Sequence, residues 1–358
     1  MGKILIFSDL HAHPHKRSVE RLHHCLEVLE WVLLTAQKRS IQDIVFVGDL
    51  FHDRHRIDVL TYQNTFEILQ KYLNPDLRLH ALLGNHDLWY AEKWDVSSVR
   101  PLAAIPGFSV IDSPSVHKIA GKDFGFLPYT HHPIEDLKKI KVKGSIKTLF
   151  GHVAIHGAVW NVMHGTTSEV SVEHDGDMVK VDSSIFGGWD QVFLGHYHAE
   201  QKLDYNVEYI GSPLQLNFGE AFQHKHIIVY DTETGEKEYI LNTFSPQHFI
   251  VPIADVEKYA LDKNFIRVIV DDIAASDLVE VRSKLLQKHK MGSLEIKPVI
   301  KEDTDVSILD GKQLLAKSSE MTVRFVDEVE KTLGLGDLEK KKLIEIGQAI
   351  CERKGEAS

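Results

Sequence analysis

Gln191-Val192-Phe193-Leu194-Gly195-His196-Tyr197-His198 joins an apolar run to two imidazoles that flank a single residue. A short continuous apolar run of this kind marks a strand covered on both faces. Two histidines at its end, late in the chain, suit the last pieces of a metal cage begun elsewhere. The remaining pieces must then come from the ends of earlier strands.

Four such ends exist. Ile4 to Phe7 runs into Asp9-Leu10-His11, and Ile44 to Val47 into Gly48-Asp49-Leu50-Phe51-His52. Leu79 to Leu83 leads to Gly84-Asn85-His86-Asp87, and Ile146 to Phe150 to Gly151-His152. After the first strand, Leu22, Leu26, Leu29, Leu33 and Ala36 recur at three and four; after the second, Tyr62, Phe66, Leu69 and Leu73 do so. These are amphipathic helices. Strands alternating with helices predict an α/β sheet whose ligands gather at the carboxyl edge. Asp9, His11, Asp49, His52, Asn85, His86, His152, His196 and His198 are therefore expected together, and oxygen and imidazole donors converging on one edge are what a two-metal centre needs. The charges agree: two divalent ions are offset by Asp9, Asp49, a hydroxide and one phosphodiester, so a loaded site is close to neutral. A water shared by the ions would be acidified to a pKa of roughly 7 and aimed in line at phosphorus, with no covalent protein nucleophile.

With 358 residues, 43% of them hydrophobic, the chain can bury one large core and something smaller besides. A net charge of -11 argues against a general basic coat for nucleic acid, and leaves a local groove or metal ions to supply the positive field. Cys25 and Cys351 stand far apart and form no disulfide framework, which suits a reducing compartment. No apolar stretch reaches the length of a membrane span or a signal peptide, so a cytoplasmic protein is expected. All 22 histidines but His289 precede residue 250, which assigns the chemistry to the first part.

Between Trp89 and Gly144 the pattern loosens around Pro101, Pro106, Pro114, Pro128 and Pro133, and reads as loops and hairpin edges with a strand candidate at Phe108 to Ile111. Asp175-Gly176-Asp177 is expected as a surface turn. Val207 to Ile210 and His226 to Tyr230 read as strands. Phe265 to Val270, Ala275 to His289 and Leu294 to Val299 follow as strand, helix and strand. Beyond Glu302-Asp303-Thr304-Asp305, two helices are expected, one carrying Met321, Phe325, Val329 and Leu333, the other Leu343, Ile346 and Ile350. The expected division is 1–245, 246–302 and 303–358.

In order along the chain, Asp9-x-His11, Gly48-Asp49-x-x-His52, Gly84-Asn85-His86-Asp87, Gly151-His152 and Gly195-His196-x-His198 resemble the signature of the calcineurin-like metallophosphoesterases. Tyr209-Ile210-Gly211-Ser212-Pro213, Phe218-Gly219-Glu220 and His226-Ile227-Ile228-Val229-Tyr230 narrow the resemblance to the SbcD nuclease family, called Mre-eleven in eukaryotes. These motifs cover the first 230 residues. The resemblance implies a four-layer α/β/β/α sandwich with a small α/β capping domain and a C-terminal helical pair. It implies two divalent ions, Mn2+ with Mg2+ as the alternative. One would take Asp9, His11, Asp49 and His198; the other would take Asp49, Asn85, His152 and His196. His86 then resembles the phosphate-contacting histidine, and His52 the one that stabilises the transition state or assists the leaving oxygen.

The implied activity is 3'-to-5' exonuclease and single-strand endonuclease action at DNA ends in recombination and repair. A homodimer is implied, working through its C-terminal helices with an SMC-like ABC ATPase of the SbcC type in a bacterial or infected-host cytoplasm. The chain is short beside cellular members, which points to a viral one. One departure is visible, Ala12-His13 where the family has Leu-Gly. His13, His15, His55, His156 and His164 match no family position. Sharing His196 and His198 between two ions requires the peptide to leave strand geometry at Tyr197. Two other readings are a hydrolase of a small phosphodiester or nucleotide using the same metals, and a non-enzymatic scaffold of this fold. The residues after 245 weigh against the first and the filled ligand positions against the second.

Overall fold

The apolar runs fold as strands in a computed structural model that describes residues 2–90, 92–144, 146–159, 179–270 and 275–298. In chain order the first half holds β1 (Lys3–Phe7), α1 (Val19–Lys38), β2 (Asp43–Phe46), α2 (Val59–Tyr72), β3 (Arg78–Leu82) and β4 (Phe108–Ile111). Next come β5 (Ser115–Ile119), β6 (Lys122–Leu127), α3 (Pro133–Leu137), β7 (Thr148–His152), β8 (Ala154–Ile155) and β9 (Lys180–Val181). The chain continues through β10 (Gln191–Gly195), β11 (Gln201–Leu203), β12 (Val207–Tyr209), β13 (His226–Asp231) and β14 (Lys237–Leu241). Last are β15 (His248–Pro252), β16 (Phe265–Val270), α4 (Ala275–Lys288) and β17 (Ser293–Pro298). All belong to one compact unit, Met1–Pro298. The expected helical pair from Met321 to Ile350, Cys351, His164 and the Asp175-Gly176-Asp177 turn lie outside the described residues.

Two six-stranded sheets form a sandwich, ordered β14-β13-β1-β2-β3-β4 and β11-β12-β10-β7-β6-β5. Alternation along each strand explains why the runs are apolar throughout. Ile4, Ile6, Val45, Val47 and Leu82 face Phe124, Phe126, Phe150 and Phe193 of the other sheet. Leu5, Phe7, Ile44 and Phe46 point the other way, to Val28, Leu29 and Val32 of α1 and Leu69 of α2. Each such side chain contributes about 1.5–3 kcal/mol by leaving water, and Phe150→Ala would cost about 3–5 kcal/mol. Ser18 and Asp58 cap α1 and α2, accepting from Arg21 N and Thr61 N, which fixes where each helix begins. The outer face of the second sheet is covered more thinly. Leu149, Val192, Leu194 and Tyr209 lie under Leu137, Ile140 and Phe186, from the five-residue α3 and short turns.

The segment from Trp89 to Gly144 departs from its sequence reading. It contributes β5 and β6, and β6 lies inside the second sheet between β5 and β7. Gly125 hides this strand in the sequence by interrupting its apolar run. A Cβ there would stand 2.5 Å from Trp189 and 2.8 Å from Ile140, so the packing of this layer excludes a side chain.

After Asn242 a parallel three-stranded sheet, β15-β16-β17, builds its own core from Val251, Ile266, Val268, Leu285 and Leu294. It rests on the segment between β12 and β13. The His248 backbone N–H donates to Gln215 Oε1, Phe249 lies 5.6 Å from Phe222, and the Arg267 guanidinium sits 4.0 Å over the Phe218 ring. Among the described residues no helix is long and apolar enough to cross a membrane.

Candidate metal centre

β1, β2 and β3 run parallel in one sheet, and β7 and β10 run parallel in the other. The polar residues that follow them are therefore delivered at carboxyl ends, where the backbone turns sharply. Asp9 (φ 52°), His11 (φ 47°), Asp49 (φ 63°) and His196 (φ 101°) all adopt the left-handed region. Such conformations cost on the order of 1–3 kcal/mol each for a residue with a Cβ and persist only where neighbours hold them. Here Asp9 N donates to Gly48 O at 2.9 Å and His11 N to Asp49 O at 3.0 Å. His196 N donates to both Asp9 oxygens, at 3.0 and 3.1 Å. Gly48, at φ 100°, has no room for a Cβ, which would lie 2.4 Å from His152 Nδ1. The departure from strand geometry expected at Tyr197 occurs one residue earlier. β10 ends at Gly195, and His196 must turn its N–H onto Asp9.

The predicted ligands assemble into two groups whose donor atoms lie within 4.8 Å of one another: Asp9, His11 and His198, and Asp49, His152 and His196. Asp49 links them, its Oδ2 being 3.6 Å from His11 Nε2 and 3.3 Å from His152 Nε2. Asn85 joins the second group, with Oδ1 3.1 Å from His152 Nε2 and 3.0 Å from His196 Nδ1. Asp9, His11, Asp49, Asn85, His152 and His196 are buried, and His198 is half-buried.

This donor set fits divalent cations. Burial holds His11 and His196 well below the ordinary imidazole range, in the neutral form that offers a lone pair. His198 Nε2 and His11 Nε2 face one another at 3.0 Å, an arrangement of two potential lone pairs that favours a positive charge between them. Burial opposes a charge on His152, but the charge and hydrogen bond of Asp49 outweigh it and push the imidazole up to about 9. Burial would likewise raise Asp49, yet the charges of His152 and His86 hold it well below the usual carboxylate range. Burial raises Asp9, and the charges of His152 and His198 offset this only in part. The family below uses divalent metals, and these are the side chains that could hold them.

Groups behind the ligands orient them, as buried metal sites require. His152 donates from Nδ1 to Val47 O at 2.7 Å, leaving Nε2 towards Asp49. His198 donates from Nδ1 to Glu220 Oε1 at 3.0 Å, leaving Nε2 towards His11. Glu220 also accepts from Ser212 Oγ at 3.0 Å and Leu216 N at 3.3 Å, and pairs with Lys225 at 2.7 Å. Burial alone would raise Glu220; the Lys225 charge and the His198 hydrogen bond keep it far below its usual range. Asp87 accepts from Asp49 N, Leu50 N and Gly84 N, all at 2.9 Å, and so ties together the chain ends after β2 and β3. Sequence reasoning gave Glu220, Lys225 and Asp87 no role. Glu220 and Asp87 lay in quoted motifs, but only their burial and long-range partners reveal what they do.

His52 and His86 stand beside the ligands, half-buried, with nearly parallel rings 5.7 Å apart. His86 donates from Nδ1 to the His52 carbonyl. Donor atoms of His11, His52 and His86 also lie within 4.8 Å of one another, so this pair adjoins the first group. Burial and then the His86 and His13 imidazoles lower His52 to about 4, which leaves it neutral at pH 7. Of the unmatched histidines, His13 pairs with Asp53 at 3.2 Å, and His15 Nε2 lies 3.1 Å from His11 O. His55 Nε2 lies 3.3 Å from Trp89 O, and His156 is exposed.

Comparison with known proteins gives a consistent picture. The family described as calcineurin-like phosphoesterase matches residues 2–229. The chain is similar to Exonuclease subunit 1 of Enterobacteria phage T4, 27% identical over 210 residues, which is 58% of this chain and 58% of the phage protein. The chain thus corresponds to little more than half of that relative's length. It is also similar to "Putative phosphoesterase 244L" of Invertebrate iridescent virus 6, at 26% identity over 73% of this chain and 89% of the relative. "Putative phosphoesterase 078R" of Invertebrate iridescent virus 3 is 22% identical over 87% of this chain and 89% of its own length.

Proposed function

The chain belongs to the calcineurin-like phosphoesterase family, hydrolases of phosphate esters, and from that premise we propose that it is a metal-dependent DNA nuclease subunit. The observation that carries this is the convergence of Asp9, His11 and His198 with Asp49, His152 and His196 into two adjoining donor groups. The similarity to a phage protein named as an exonuclease subunit supports DNA as the substrate.

In this reading Asp9, His11, Asp49 and His198 hold one ion and Asp49, Asn85, His152 and His196 the other. Two Mn2+ ions, or Mg2+ in their place, would supply Lewis acidity to the phosphoryl oxygens and lower the pKa of water. His86 contacts the scissile phosphate. With its Nδ1–H committed to the His52 carbonyl, Nε2 is the atom left for the substrate. His52 stabilises the transition state or assists the leaving oxygen, and its buried Nδ1 has no hydrogen-bond partner among the described residues. The parallel sheet of β15, β16 and β17 caps the site from residue 246 onward. The residues from 303 bind an SMC-like ATPase of the SbcC type, and the protein works as a homodimer on DNA ends.

A smaller phosphodiester or nucleotide is the second reading, favoured by the net charge of -11, which repels a polyanion. End-labelled duplex DNA, incubated with Mn2+ or Mg2+ with and without the ATPase, separates the two. Degradation of the duplex is expected. Hydrolysis of nucleotide esters alone, with DNA untouched even beside the ATPase, would overturn the nuclease reading.

A further inference from the structure

The loops that carry His52 and His86 stay side by side beyond them. Three residues along each chain, His55 meets Trp89 edge-on with ring centroids 4.7 Å apart. Three residues of chain place Trp89 within about 11 Å of His86, close enough for a base stacked there to belong to a nucleotide near the scissile phosphate. Trp89 is 47% exposed and Tyr90 48% exposed. A single exposed ring needs no explanation, but two consecutive ones beside a reaction centre leave stacking surface that His55 against Trp89 and Lys93 near Tyr90 cover only in part.

Their loop is nevertheless pinned. Leu88 bridges to Ser97, Trp89 N donates to Val96 O at 3.1 Å, and Ser98 N donates to Asp87 O at 2.9 Å. Trp94 donates from Nε1 to Tyr129 O at 2.8 Å. The rings are thus presented at little ordering cost. The Lys93 ammonium lies 5.6 Å from the Tyr90 ring centroid. Glu92 and Asp95, exposed on the same loop, offset Lys93 and Arg56, so recognition here depends on ring faces more than on charge.

We propose that Trp89 and Tyr90 form a stacking platform for unpaired bases of single-stranded DNA next to the scissile phosphate. The proposal rests on the nuclease reading and assigns these residues to positioning, not to chemistry. Stacking of a base on an aromatic ring contributes about 1–3 kcal/mol and tolerates any sequence; an uncharged ring neutralises no phosphate, so removing it leaves the salt slope of binding as it was.

The test is fluorescence anisotropy with a phosphorothioate-linked, fluorescein-labelled oligothymidylate, which resists cleavage, in Mn2+. The Trp89→Ala/Tyr90→Ala variant is expected to raise Kd by about tenfold or more, by the same factor at low and high salt, and Trp89→Phe/Tyr90→Phe to restore most of the loss. Abasic sites scanned along the oligonucleotide should weaken the unaltered protein at one or two positions and leave the double-alanine variant indifferent there. No abasic-sensitive position, or an unchanged Kd in the double-alanine variant, would overturn the platform. Duplex degradation is scored separately: its absence with the Kd difference intact defeats the nuclease reading alone, and its presence with Kd unchanged defeats the platform alone.

Discussion

The floor of the site and its rim are built differently. Asp9, His11, Asp49, Asn85, His152 and His196 are buried at or just beyond strand ends, four of them (Asp9, His11, Asp49 and His196) in left-handed backbone, and are held by bonds such as His196 N to Asp9. His52 and His86 stand half-buried beside them with their rings 5.7 Å apart, His13 meets His52 at 5.1 Å, and exposed His55 meets Trp89. A floor of this kind is preorganised for spherical cations that must be held at fixed distances. A rim of half-buried imidazoles and exposed rings suits a polymer whose local conformation varies.

The sharpest way to break this contrast is Asp49→Asn. Asp49 serves both donor groups, so turnover of bis(p-nitrophenyl) phosphate is expected to fall on the order of a thousandfold or more, with bound metal lost in elemental analysis. His86→Ala tests the rim by the same assay. A loss of about a hundredfold with metal content intact is expected, and loss of metal would make His86 part of the floor.

Glu220→Gln probes what lies under the floor. Because Glu220 orients His198, metal affinity should drop about 10–100-fold, and activity should return at saturating metal in a titration.

Asp43 lies at the opposite end of β2 and serves as a control on stability rather than activity. Burial opposes its charge, but hydrogen bonds from His80 and Arg78 outweigh burial and hold it at about 2. A depressed carboxylate contributes stability above its unfolded pKa near 3.9 and loses it as pH falls towards 2. Asp43→Asn should therefore lower stability by on the order of 1–2 kcal/mol at pH 7, with the two Tm curves converging below about pH 4. The smallest effect belongs to His13→Ala, within about twofold on turnover, since His13 reaches Asp53 and no donor group of the floor.

The same contrast explains what the sequence made legible. A polar donor at a strand end is announced by the apolar run before it, so Asp9, Asp49, Asn85, His152 and His196 could be read one strand at a time. The family membership and the sandwich were visible for the same reason. Interior β6 was not, because Gly125 removes the residue that would have marked its buried face. Glu220 and Asp87 escaped because a buried carboxylate is recognised by its partners, and those of Glu220 come from the loop after β10 (His198), from the segment after β12 (Ser212 and Leu216) and from the residue before β13 (Lys225). The inward turn came at His196 instead of Tyr197 because Asp9, far away in sequence, captures its N–H.

That capture has a kinetic side. The contacts joining His196 to Asp9 and His198 to His11 each close a loop of 187 residues. Closing a loop of that size costs on the order of 5 kcal/mol in chain entropy, which must be met by the packing of both sheets before either contact can form. The centre is therefore among the last features to mature as the chain folds. A chain stopped before β10 would carry Asp9, His11, Asp49, Asn85 and His152 but lack His196 and His198, so neither donor group would be complete until the second sheet had formed.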